Sequence, residues 1–526
     1  MKNTLYILTS VAALTLVAGC EKEFSPTSSG SAEIILSKAS SAIASVNGIY
    51  RSMHKSDWST TGNTHQAFGI PAYNIAQEAM GDDFIMQSNG NGWFWRDHCY
   101  TMKQNYTGTI YRPYDVWFGC YNWVNNANGI LDYKDRMSGD KKDVDYVIGQ
   151  AYAIRAYAYF ILSMWYSRAP IFTLAYSKGT RGPEVEHWTE KCVPIYTTAT
   201  TSKTKGRPRA TIKDVYSRIG ADLDSAIVKL TSGQSSTLNK HNKSYMDLYA
   251  VYLLKSRVCL AENDWKGAYD AAMEVIRSGG YSIGDESELM NGMSLLSASN
   301  VIWGADIQNP EQASAYASFY GHMDNVNGSY AKSAPKLISK TLYGKIGVND
   351  IRRRWWDPDN KQSPYLGRKF TFSKVSSSLG DVPYMRVEEA YFNAAEATLR
   401  LNNNEGEARE LLKKVMEKRD TSYKADNYSG TSLGLTTNEF TGSLLENIIL
   451  QKRIEFWGEF GRVWDVRRLG QGIKRTEEDG FAPSCIKAMN DKGVDLTSTS
   501  TWDWVMFIPQ AEIEANEDIS SEDQNP

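Results

Sequence analysis

Histidine is scarce. The 526 residues hold six, at His54, His65, His98, His187, His241 and His322. No pair stands at helical ligand spacing, and none joins a cysteine or carboxylate motif, so a metal enzyme has no support and no cofactor is expected. Cysteine is as scarce: Cys20, Cys99, Cys120, Cys192, Cys259 and Cys485 are widely scattered. That pattern is neither a disulfide framework nor a zinc site; it leaves room for one bridge, with most of the others as buried thiols. Charge of one sign is lacking too. The formal net charge of -3 argues against a dedicated polyanion binder. Beyond Val17 there is no long apolar run, so the body is expected to be soluble and not to span a membrane.

What is present begins with the first twenty residues. Met1-Lys2-Asn3 is followed by an apolar run from Leu5 to Val17 and then by Ala18-Gly19-Cys20. A lysine, a short apolar core and small residues at the end make a secretory signal, too short to remain as a membrane span. A cysteine directly after Val17-Ala18-Gly19 resembles a bacterial lipobox, which implies that Cys20 becomes the lipidated first residue. The expected organisation is a signal peptide over 1–19, a lipidated cysteine and flexible tether over 20–33 that includes Ser25 to Ser31, and a single domain over 34–526. Such a chain works outside the cytoplasm, away from ATP and chromosomal DNA.

Aromatic residues are abundant, with 15 Trp and 31 Tyr. They fill cores, and they also suit flat, half-wet ligand surfaces. Apolar residues at three- and four-residue spacing predict helices over Tyr114–Tyr133, Val144–Tyr166, Asp214–Leu230, Tyr245–Leu260, Trp265–Ser278, Tyr384–Leu401, Gly406–Arg419 and Leu444–Trp457. Two helix pairs stand out, one turning at Glu262-Asn263-Asp264 and the other at Asn402-Asn403-Asn404. Small residues such as Ala268, Ala272, Ala395 and Ala408 let the helices pack closely, as in tetratricopeptide repeats. The fold class is therefore mostly α: a tetratricopeptide-like helix-pair scaffold with long loop-rich excursions over Trp58–Gly108, Ile171–Thr211 and Gly280–Pro383. Binding functions concentrate in such excursions.

Four groups of residues stand in a set order and spacing: Trp117, Tyr121 and Asn128; Gly149-Gln150-Ala151 with Arg155-Ala156-Tyr157; Asp214-Val215-Tyr216 with Asp222-Leu223; and Glu455, Glu459, Arg462, Asp465 and Arg468. Together they resemble the SusD/RagB family of Bacteroidetes outer-membrane nutrient-binding lipoproteins. Gln451-Lys452 and Tyr166-Ser167-Arg168-Ala169-Pro170 depart from the commoner family pattern. The resemblance covers nearly the whole mature chain. It implies a lipid-anchored protein on the outside of the outer membrane, not an enzyme, that captures a glycan and passes it to a TonB-dependent (SusC-like) barrel, with no nucleic-acid partner. Competing readings are a surface glycoside hydrolase and a peptide-binding repeat scaffold. The residues themselves make the late charged group a structural salt-bridge network, because no nucleophile or histidine accompanies it.

The leading site candidate is Gly92-Trp93-Phe94-Trp95-Arg96-Asp97-His98. In an extended stretch Trp93 and Trp95 point the same way, giving a platform for sugar rings, with Arg96 and Asp97 to bond hydroxyls. A second candidate region holds Trp303, Tyr316, Phe319 and Tyr320, with Asn325 and Asn327 nearby; Trp303 and Tyr320 are the expected contacts. Trp355-Trp356 reads as packing. Gly430-Thr431-Ser432-Leu433-Gly434 matches a nucleophile elbow, but polar loop on both sides argues against one. Lys203 to Arg209 reads as a solvated basic loop rather than a DNA hook.

Overall fold

A computed structural model describes residues 32–55, 63–100, 111–175, 181–310, 312, 316–491, 493 and 496–526. The expected signal, Cys20 and the tether up to Ser31 lie outside these residues. Helix Ala32–Leu36 begins inside the expected tether.

The principal helices are α1 (Ala39–Ser52), α2 (Ile70–Met80), α3 (Trp95–Cys99), α4 (Tyr111–Leu131), α5 (Lys141–Tyr166), α6 (Ile212–Gly233), α7 (Leu248–Ala261), α8 (Trp265–Arg277), α9 (Val387–Asn402), α10 (Glu405–Met416), α11 (Leu444–Glu455), α12 (Arg462–Arg468) and α13 (Pro483–Asp491). From α4 to α10 each helix packs on the next, which is the stacked arrangement of a helical repeat. The two expected helix pairs are α7–α8 and α9–α10. Their turns share one geometry: Asn263 and Asn403 adopt left-handed φ values of 56° and 51°, and Asp264 and Asn404 then cap the following helix.

Close packing explains the sequence motifs. A Cβ at Gly149 would sit 2.8 Å from the Leu230 side chain, so only glycine lets α5 and α6 approach this far. Arg155 on α5 donates to both carboxylate oxygens of Asp222 on α6 and to Asn128 Oδ1 on α4 at 2.6 Å. Three motif residues thus tie three helices through a buried ion pair. The late motif also joins segments, as expected. Glu455 accepts hydrogen bonds from Arg352, Arg386 and Arg419, Glu459 from Arg386 and Lys369, and Glu396 from Arg468. Arg462 pairs with Asp82 and Asp83, binding α12 to the segment after α2.

Short antiparallel strands complete the described fold. They are β1 (Phe84–Met86), β2 (Ile171–Ala175), β3 (Arg181–Glu186), β4 (Val301–Ala305), β5 (Lys336–Ile338), β6 (Trp356–Asp357), β7 (Leu366–Gly367) and β8 (Val382–Arg386). One sheet runs β1-β5-β7-β6, while β2 pairs with β3 and β4 with β8.

Three expectations need correction. The helix expected from Tyr384 starts at Val387, because Tyr384 to Arg386 belong to β8; a fully buried strand shows no alternation to separate it from a helix. The Trp58–Gly108 stretch is not all loop, since α2 lies within it. Every residue of α2 is buried, so it lacks the amphipathic stripe that marks a surface helix. Lys203, Lys205 and Arg207 are exposed, but Arg209 is buried and donates to the carbonyls of Lys191, Cys192 and Asp523 and to Asn525 Oδ1. It is a clamp on the chain's last residues.

Cys99 and Cys485 form a disulfide that staples α3 to α13, while Cys120, Cys192 and Cys259 are buried thiols. A cross-link over so long a loop restricts the unfolded chain and is worth about 2–4 kcal/mol. Replacing both cysteines by serine is expected to lower the thermal midpoint by that equivalent. Reductant should do the same to the wild type and leave the variant unmoved; an unchanged midpoint on reduction would show that the staple adds nothing.

Candidate functional site

The turn before α3 is set by backbone constraint. Gly90 has φ 53°, and a Cβ there would lie 2.6 Å from the Ser333 carbonyl oxygen. The glycine lets the turn lie flat on the Ser329–Ser333 helix, which carries Tyr330. Trp93 consequently lands 6.0 Å from the Tyr330 ring. The His65 ring stacks on Trp93 at 5.0 Å with an 18° tilt, and His65 Nδ1 is 2.7 Å from the Tyr330 hydroxyl. Tyr316 extends the row, 5.7 Å from Tyr330 and 51% exposed. Trp93, His65 and Tyr330 are half-buried. The result is an arc of four aromatic side chains, none of them fully buried; Asn89, Asn91 and Arg96, close to Trp93 in sequence, are exposed.

A rigid layer supports the arc. His322 lies beneath Tyr330 at 5.0 Å, stacks on Phe68 and meets Phe94 edge-on at 4.9 Å; its Nε2 is 2.7 Å from the His65 carbonyl oxygen. Burial pushes the His322 imidazolium well below its ordinary range, so the ring is neutral at physiological pH. Burial likewise pushes Lys336 down to about 7 and His98 down to about 3. Arg112 donates to the Gln66 carbonyl at 2.7 Å and pairs with Asp97 at 3.2 Å, both side chains fully buried.

The structure divides the expected site residues. Trp93 is in the arc, and Tyr316 comes to it from the second candidate region. Trp93 and Trp95 do not form an extended platform: Phe94 has φ 60°, and Trp95 opens α3, so the alternation of a strand does not apply. Trp95 is half-buried, 5.7 Å from the His98 ring, and Arg96 is exposed. Asp97 is 0% exposed and committed to Arg112, which makes it a brace rather than a ligand contact. Tyr320 is 1% exposed, and its hydroxyl donates to the carbonyls of Met293 and Asp381. Trp303 is 1% exposed among Tyr50, Tyr157 and Tyr384. These two fill the core and do not belong to the arc. His65 and Tyr330 were missed, since a lone histidine and a lone tyrosine carry no sequence signal until the fold joins them.

The fold also places two other motifs. Gly430–Gly434 is loop, without the strand and helix an elbow needs. Trp355 and Trp356 are buried. Among the described residues no group of three or more His, Cys, Asp or Glu side chains could hold a metal ion. None of the described helices is long and apolar enough to cross a membrane.

Two family models match the chain in succession. One, described as starch-binding and associating with the outer membrane, covers residues 57–260, and the SusD family model covers residues 315–526. The chain belongs to the SusD/RagB family. Its SusD fold recurs in solved structures. A SusD-like carbohydrate binding protein from Bacteroides vulgatus ATCC 8482 is 23% identical with a TM-score of 0.73, the match covering 93% of this chain and 98% of that one. A SusD superfamily protein from Bacteroides thetaiotaomicron VPI-5482 is 20% identical with a TM-score of 0.70, over 93% and 100% of the two chains. Surface glycan-binding protein A from Bacteroides thetaiotaomicron, in complex with laminarihexaose, is 18% identical with a TM-score of 0.61, over 92% and 98%. A comparison with curated proteins gives no match.

Proposed function

We propose that this SusD-family protein binds an oligo- or polysaccharide at the cell surface through the Trp93–His65–Tyr330–Tyr316 arc and passes it to a TonB-dependent outer-membrane transporter. The carrying observation is the arc itself: partly exposed aromatic rings on a rigid base, with exposed Asn89, Asn91 and Arg96 close to Trp93 in sequence. Apolar sugar faces stack on such rings, and the amides and guanidinium bond their hydroxyls. A relative of the same fold is described as bound to laminarihexaose, and another as laminarin binding, which supports a glycan as the ligand. A lipid on Cys20 would hold the protein to the outer leaflet, and the Cys99–Cys485 bond suits that oxidising side of the cell. The protein is read as a binder and not a hydrolase. The acid nearest the arc in sequence, Asp97, is locked to Arg112, whereas glycosidases need two carboxyl groups across an open cleft.

The test is calorimetry of the chain from Glu21 onward, which contains every described element, against laminarihexaose, maltohexaose, xylohexaose, mannohexaose and their parent polysaccharides. Saturable binding with the ligand recovered intact is the expected outcome. Cleaved ligand would make the protein a glycoside hydrolase, and binding of peptides alone would make it a peptide-binding scaffold.

A further inference from the structure

Two cavities open on either side of the Tyr245 ring. The smaller, about 230 Å³, is bordered by Tyr50, His54, Tyr245, Asp306, Gln312 and Tyr384. The larger, about 440 Å³, is bordered by Tyr146, Asn242, Lys243, Tyr245, Tyr249 and Tyr281. Tyr245 stands fixed between them, edge-on to Tyr50 at 5.3 Å, with its hydroxyl donating to Asn47 Oδ1. The larger volume lies within the range of about 300–1,000 Å³ typical of small-ligand sites.

The chemistry of the walls selects the ligand. In the smaller cavity the His54 Nε2 and Tyr384 hydroxyl are buried and have no hydrogen-bond partner. Burial pushes His54 down to about 4, so its ring is neutral; the other ring nitrogen bonds the Tyr50 backbone, leaving Nε2 an acceptor. In the larger cavity both formal charges are already engaged. Lys243 Nζ donates to the Ala298 carbonyl at 2.6 Å, and the Asp247 carboxylate accepts from the Tyr281 hydroxyl and from the Tyr249 and Ala250 amides. Arg51 and Asp306, which border the smaller cavity, are of opposite sign. The lining of each cavity thus carries one formal charge of each sign, so neither a phosphate nor a cation is favoured there by net charge. A neutral, hydroxyl-rich ligand with apolar ring faces meets tyrosine rings, tyrosine hydroxyls and an amide.

The smaller cavity also lies within reach of the arc. Gln312 on its border stands four positions before Tyr316, so their Cα atoms are at most about 14 Å apart, a gap that a few sugar rings bridge. We propose that the paired cavities around Tyr245 form a second saccharide-binding site, taking a further stretch of the glycan held by the arc. This inference rests on the glycan-capture reading above. Two weak sites on one polymer raise its affinity through effective concentration, with no new contact at either.

Gly280→Phe tests it by adding bulk at a residue that lines the larger cavity and leaving the other lining side chains in place. Gly280 borders the larger cavity, and a Cβ there meets nothing nearer than Ser278 Oγ at 3.8 Å, so a larger side chain is accepted at Cβ without a clash and takes up space beside the cavity. Laminarin, starch, xylan and mannan are titrated into wild type, Gly280→Phe, Trp93→Ala and the double variant, with thermal midpoints as the folding control. The expected result is about 10-fold weaker polysaccharide binding in Gly280→Phe at an unchanged midpoint, and residual binding in Trp93→Ala that the double variant lacks. Full wild-type binding in Gly280→Phe, with complete loss in Trp93→Ala, overturns the second site and leaves the arc reading intact. Binding that survives Trp93→Ala at full strength and vanishes in Gly280→Phe keeps the cavity site and overturns the arc. No binding of any sugar to the wild type overturns both.

Discussion

Glu455→Gln is expected to cost about 3–5 kcal/mol of stability, enough to leave much of the chain unfolded at growth temperature. The side chain is fully buried and accepts from Arg352, Arg386 and Arg419, all fully buried as well. The cluster around it balances. Arg352, Lys369, Arg386 and Arg419 face Asp350, Glu388, Glu455 and Glu459. Removing one carboxylate leaves a positive charge in excess where water does not reach. Burial alone would raise the Glu455 carboxyl, yet the guanidiniums of Arg419, Arg386 and Arg352 outweigh it and hold it well below the ordinary carboxylate range. The Glu455 carboxylate therefore stays ionised at neutral pH.

Lys369 gives the variant one way out. Burial already pushes its ammonium down to about 8, and losing a neighbouring carboxylate pushes it further. The folded variant then sheds that proton while the unfolded chain, with an ordinary lysine, keeps it. Stability rises with pH wherever the unfolded state binds more protons, and the wild type gains in the same way only above about 8, so the deficit of Glu455→Gln should shrink between pH 6 and pH 8. Urea denaturation at both pH values measures this. A loss below about 1 kcal/mol, or a deficit that does not change with pH, would mean that the cluster is relaxed by solvent and is not the closed network described.

Much of this scaffold was legible in the sequence, and the reasons are local. The α8 and α10 stripes and the paired Asn turns at Asn263 and Asn403 act through near neighbours or through a helix face, which periodicity reports, whereas Asn128, Arg155 and Asp222 stood out only through the family resemblance. α2 and β8 were not legible, because full burial removes the polar half of the pattern. The arc was half legible. Trp93 announced itself through composition, but its partners come from residues 65, 316 and 330, and only tertiary packing places them together. The misreadings at Asp97 and Tyr320 share one cause. Residue type suggests a ligand contact, whereas the hydrogen-bond partner that commits each side chain inward lies elsewhere in the chain, at Arg112 and Asp381.

That separation between arc and core makes the second large prediction sharp. Trp93→Ala is expected to weaken glycan binding by at least about 30-fold, the roughly 2 kcal/mol of a central aromatic anchor, while barely moving the thermal midpoint. The indole is half-buried, so truncation leaves no closed cavity, but it removes one face of the arc and the surface on which His65 stacks. Trp93→Phe keeps a flat face and should recover part of the affinity. Tyr320→Phe, at a position chosen from sequence for the same reason, is expected to do the reverse: binding holds, and stability falls by about 1–3 kcal/mol because the Met293 and Asp381 carbonyls lose their donor. Calorimetry and thermal denaturation on the same three proteins separate the two roles. Equal losses of affinity and stability in Trp93→Ala would place that indole in the core, and the binding surface would then have to be sought away from the arc.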